Sequence, residues 1–146
     1  MDDEDDEWAG ANAALERFGL PARPAARLAI IAALEEQVRL VESENADDAH
    51  LMRLLCAQLF SLGVVEDALL VWRAKQCNFD THCGIDVSLL CGGGLEETKA
   101  FLASAGTEES VAALDYLRHC EGCGNFAGFD VAAALADLRR FYEVDP

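Results

Sequence analysis

A chain of 146 residues, 52% of them hydrophobic, carries enough apolar surface to bury one core and falls in the size range of a single domain. Its 27 acids against 11 bases leave a formal charge of -16. That charge excludes a nucleic-acid backbone or an anionic membrane surface as partner, because both are repelled, and it favours a basic protein partner.

Six acids fill Asp2 to Glu7. A run of like charge at a terminus reads as a disordered acidic tail over 1–7, ahead of a single helical domain over 8–146. The N-terminus lacks the basic start and apolar core of a secretory signal. The apolar run Leu28 to Leu34 is far shorter than the roughly 20 residues that span a bilayer. The expectation is therefore a soluble, cytoplasmic protein whose cysteines are reduced thiols.

Helical spacing begins with Trp8, Ala11, Leu15 and Phe18, and Gly19 follows as a C-cap. Pro21 and Pro24 mark a break and a restart, with Pro24 in the first turn of a second helix. There Leu28, Ile31, Leu34, Val38 and Val41 form an apolar stripe opposite Glu35, Glu36, Arg39 and Glu42. Ser43 to Asp48 reads as a loop, with Asp47 or Asp48 capping a third helix that carries Leu51, Leu54, Leu55, Gln58, Leu59 and Leu62 before Gly63. A fourth helix starts acidic at Glu66 and Asp67, passes Leu69 and Trp72, and ends basic at Arg73 and Lys75, the order the helix dipole prefers.

The stretch Cys77 to Cys91 comes next. Asp80 or Thr81 caps a helix whose Ile85 to Cys91 portion is apolar nearly all round, which predicts a buried central helix stopped by Gly92, Gly93 and Gly94. A helix from Leu95 to Gly106, another behind Thr107, and a last one behind Asp130 with Val131, Ala134, Leu135, Leu138 and Phe141 on its inner face complete the pattern. The reading is all-α: a single domain of seven or eight short antiparallel helices, arranged as stacked helical hairpins.

Two segments echo each other. Glu66 to Cys77 leads through Asn78-Phe79-Asp80 to Ile85-Asp86, and Glu109 to Cys120 leads through Asn125-Phe126 to Phe129-Asp130. Trp72 with Tyr116, and Asp86 with Asp130, share an offset of 44 positions. That period and the helix-pair layout resemble HEAT and armadillo units, α-solenoids in which thin helix pairs stack to bury their faces. No named repeat consensus is matched, so the resemblance implies no functional residues.

Candidate chemistry centres on the cysteines and on the two echoed loops. His82 with Cys83, and Cys120 with Cys123, form a candidate zinc set as paired tetrahedral ligands. A Cys-x-x-Cys that ends a helix sits where the dipole raises a thiol's pKa, which argues against thioredoxin-like chemistry. The adjacent pairs His82-Cys83 and His119-Cys120 project in different directions on a helix, so no catalytic dyad is evident, and a cysteine-dependent enzyme is kept only as an alternative. Gly92 to Gly94 lacks the Lys and Ser/Thr of a phosphate-binding loop. The leading expectation is a small acidic non-enzymatic protein without a cofactor, binding a basic protein partner in the manner of an inhibitor or immunity protein. The expected contact residues are Asn78, Phe79, Asp80, His82, Glu96, Glu97, Asn125, Phe126 and Asp130, on one edge of the stack.

Overall fold

The computed structural model describes residues 3–44 and 48–142. Among them the chain is all-α, with eight α-helices and no β-strand. The first, α1, spans Asp3–Phe18 and so takes up most of the stretch expected as a disordered tail. Gly19 closes it with φ +83°, its N–H donating to the Leu15 carbonyl at 2.9 Å. A 3-10 turn over Pro24–Ala26 then starts α2, Arg27–Glu44. Part of the expected loop, residues 45–47 with Asp47, lies outside the described residues.

The centre of the domain is α3, Ala49–Leu62. Asp48 caps it by accepting from Leu51 N–H at 3.1 Å, and Gly63 ends it in the left-handed conformation. Met52 and every residue from Leu54 to Phe60 are buried. Gln58 is the polar member of that run, and its amide donates to the carbonyls of Ala14 and Gly19 at 3.1 and 3.0 Å, pinning the end of α1. The helix is buried on most of its surface because α1, α2, α4 (Ala68–Lys75), α5 (Phe79–Gly84) and α8 (Val131–Phe141) all pack on it. The contacts with α1, α2, α4 and α5 join helices one or two apart in the chain, as stacked hairpins do, and α8 adds a contact from further along it. The role of buried central helix thus belongs to α3 and not to Ile85–Cys91.

On α2 the buried positions are Ile30, Leu34 and Val41, whereas Leu28 is 74% exposed. The face turned inward is therefore rotated from the expected stripe, because α2 meets α3 and α4 together. Its start is tied to the start of α4, Ala68–Lys75, by a bidentate pair. Arg27 Nε and a terminal guanidinium nitrogen donate to the buried Asp67 carboxylate at 3.0 and 2.6 Å.

Behind α4, Asn78 and Thr81 form a reciprocal capping box that begins α5, Phe79–Gly84. This helix stops where the expected one continues. Lys75, only 3% exposed, donates from Nζ to the carbonyls of His82 and Ile85 at 2.5 Å each, and Asp86 caps a separate 3-10 turn over Val87–Cys91. The turn's apolar residues are buried as anticipated, although its form is not the one expected. The triple glycine that follows is a packing device. A Cβ on Gly92 would meet the Phe60 carbonyl oxygen at 2.4 Å, and one on Gly93 would meet Val65 Cα at 3.0 Å. Backbone therefore lies directly on backbone at the end of α3.

Two helices, α6 over Leu95–Ala105 and α7 over Glu108–Gly122, form an antiparallel hairpin joined at Gly106-Thr107. A second capping box, Thr107 with Ser110, starts α7. The last helix, α8, spans Val131–Phe141 behind Asp130, whose carboxylate accepts from Ala133 N–H at 2.9 Å. It has no fully buried residue. No helix among the described residues is long and apolar enough to cross a membrane.

Candidate functional site

A groove runs between α2 and α4 and continues to the start of α7. Its first part holds about 270 Å³ and is walled by Leu34, Val38 and Leu70, with Glu35 and Glu42 beside them. The second holds about 420 Å³ and passes Trp72, Cys77 and Glu109. Glu35, Val38 and Glu42 stand at i, i+3 and i+7, so one line of α2 presents acid, apolar and acid to the groove.

The groove's two arginines are already neutralised. Arg39 forks onto Glu36 at 2.9 and 2.6 Å, and Arg73 holds both oxygens of Glu109 at 2.9 Å. These contacts raise both guanidinium pKa values and lower that of Glu36, the hydrogen bond being the main cause in each case. Neither Glu35 nor Glu42 forms an ion pair among the described residues. Burial, with Glu42 adding to it, pushes the Cys77 thiol up.

Two residues beyond Cys77, Phe79 opens α5 and is 80% exposed, with exposed Asp80 next to it. A ring this far into solvent adds little to the core and, of the expected contact residues, is the large apolar one that stays exposed. Asn78 is engaged in the capping box: its side-chain oxygen accepts from Thr81 N–H at 2.9 Å. His82 turns to α7, where its Nε2 lies 3.4 Å from the Tyr116 hydroxyl. Glu96 is paired with Lys99 at 2.9 Å, and the Glu97 carboxylate folds over Gly94.

The second echoed loop does not match the first. Phe126 is 6% exposed and packs edge-on against Phe129 at 5.3 Å between ring centroids, so it is a core residue and not a contact residue. Asn125 is exposed and Asp130 serves as a helix cap. The reason is local: residues 79–84 coil into α5, leaving Phe79 outside, whereas 123–128 form open turns that fold Phe126 inward. The echoed aromatics Trp72 and Tyr116 pack against each other, 5.5 Å between centroids.

The candidate zinc ligands are not gathered. Cys120 is buried while Cys83 and Cys123 are exposed, and no group of three or more His, Cys, Asp or Glu side chains placed to hold an ion occurs among the described residues. Cys123 Sγ lies instead 3.8 Å from His119 Nε2, one turn back on α7. The i, i+4 spacing of those two residues is visible in the sequence and was the signal for that contact.

Lys75 is the least expected of the charged residues. Burial lowers its pKa, and its ammonium sits 5.7 Å from the centre of the Tyr116 ring. Its donors are spent on the last carbonyls of α5, which makes it a structural clasp for the Cys77–Cys91 stretch and not an accessible nucleophile. Comparison with protein-family models, curated proteins and solved structures finds no match to this chain. The functional reading therefore rests on geometry and charge.

Proposed function

We propose that this chain is an acidic, non-enzymatic binding protein that holds a basic segment of a partner protein in the α2–α4 groove, as an inhibitor or immunity-type protein does. The alignment of Glu35, Val38 and Glu42 along the groove, next to arginines already tied to Glu36 and Glu109, carries this reading. A lysine or arginine side chain lays its methylenes on Val38 and Leu70 and its charge between the two carboxylates. Phe79, exposed and two residues beyond Cys77 in the chain, supplies an apolar anchor of the kind that dominates interface energetics. The large negative charge speeds the encounter with a basic partner and discourages acidic ones.

Calorimetric titration with a lysine- and arginine-rich amphipathic peptide tests this. The expected result is saturable binding that weakens steeply with added salt and falls about tenfold in Glu35→Gln/Glu42→Gln. Binding that is indifferent to salt, or unchanged in that variant, removes the groove as the site.

A further inference from the structure

The two walls of the α2–α4 groove share one period. On α2 the line is Glu35, Val38 and Glu42, and on the other side Leu70, Arg73 and Cys77 follow at the same i, i+3 and i+7 spacing. Val38, Leu70 and Cys77 are only half-buried, so apolar surface stays open along the groove. Arg39 and Arg73 close onto Glu36 and Glu109, and the Glu35 and Glu42 carboxylates are left to face a guest.

Such walls disfavour an extended guest. A bound strand adds to a sheet edge, whose free N–H and C=O groups pair with its own, and no strand occurs among the described residues. The backbone groups of α2 and α4 bond along their own helix axes. An extended segment therefore lays an unpartnered polar backbone against Val38 and Leu70, whereas a helix satisfies its backbone internally and offers side chains alone.

Spacing favours the same form. Glu35 and Glu42 are seven residues apart, which is about 10.5 Å along α2. A helix laid beside α2 returns nearly to the same face every seven residues and so matches that repeat. Residues on one face of a strand fall about 6.6 or 13 Å apart instead.

Resting on the reading that this groove takes a basic segment, we infer that the segment is an amphipathic α-helix of the partner lying along α2. It carries two lysines or arginines seven positions apart with apolar residues between them. The basic residues meet Glu35 and Glu42, and the apolar ones cover Val38, Leu70 and Cys77.

Three peptides of about 15 residues, long enough to coil, test this by titration into the full chain. The first is alanine-rich and contains Lys-x-x-Leu-Leu-x-x-Lys. The second has proline at one of the intervening x positions, and the third has its lysines five positions apart, on different faces. Methyl NMR signals of Val38 and Leu70 report the groove, and isotope-labelled peptide Cα signals report the conformation of the guest. The expected result is saturable shifts at both methyls, a gain of helix in the first peptide on binding, and affinity about tenfold weaker for the other two. Binding of the proline peptide as tightly as the first, or of the first without coiling, overturns the helical guest while the groove remains a site for basic segments. Equal affinity of the third overturns the seven-residue match. With no shift at Val38 or Leu70 from any peptide, the groove reading falls and the helix with it.

Discussion

The helices α3 and α8 begin in the same way and end up in opposite situations. Each follows an aspartate whose carboxylate accepts from the backbone N–H three residues on, Leu51 in one and Ala133 in the other. Yet α3 buries eight of its residues among five helices, while α8 buries none completely and leaves a cavity beneath its apolar face. A good cap starts a helix, but packing decides how much that helix contributes to the fold. Stability is concentrated at α3, and the α2–α4 groove, an edge that remains open, is where binding is expected.

The largest expected effect tests that contrast directly. Leu55 is fully buried in α3, so Leu55→Ala should cost about 2–5 kcal/mol in urea unfolding. Leu138 in α8 is half-buried beside an existing cavity, and Leu138→Ala should cost about 1 kcal/mol or less. Equal losses at the two positions would erase the distinction.

A smaller effect distinguishes the core by pH. Cys91, fully buried, has its thiol pKa pushed up to about 12 from 9.0, chiefly by burial. The folded state then keeps a proton that the unfolded chain releases. The thiol's contribution is complete below pH 9.0 and is lost as pH rises toward about 12, at up to 1.36 kcal/mol per pH unit. Lys75, whose pKa is lowered, acts in the opposite sense: its burial penalty is present at neutral pH and is relieved as pH rises toward 10.5. Stability measured from pH 8 to 11 should therefore fall less steeply in Cys91→Ala than in the parent chain. An identical alkaline slope in the two would show that this thiol does not titrate on unfolding.

Local signals made the all-α class and most helix boundaries legible. Gly19, Gly63, Gly106, Thr107 and Asp130 all mark ends where the structure has them. The rotation of α2 was not legible, because Leu28, Ile30 and Ile31 offer several apolar stripes and only the positions of α3 and α4 choose among them. The interruption of the Ile85–Cys91 helix depends on Lys75, whose charge suggests a surface residue until the carbonyls of α5 are seen to capture it. Of the expected contact residues, Phe79 was correctly read as exposed, whereas Phe126 was placed by analogy with it and is buried because its loop turns the other way.

The finest test asks whether α8 opens on its own. If it does, its amides exchange through a partial unfolding that leaves α3 intact, while those of α3 exchange only through global unfolding. Asp130→Ala removes the cap and raises the free energy of the native state by about 1 kcal/mol. That brings it closer to the partly open and fully unfolded states alike, so hydrogen exchange should accelerate about fivefold in both helices. Leu55→Ala behaves differently, because Leu55 stays buried when α8 alone is open: α3 amides should exchange much faster while α8 amides keep their parent rates. If Leu55→Ala accelerates both helices equally, α8 opens only with the whole domain, and the cavity beneath it belongs to the same cooperative unit as α3.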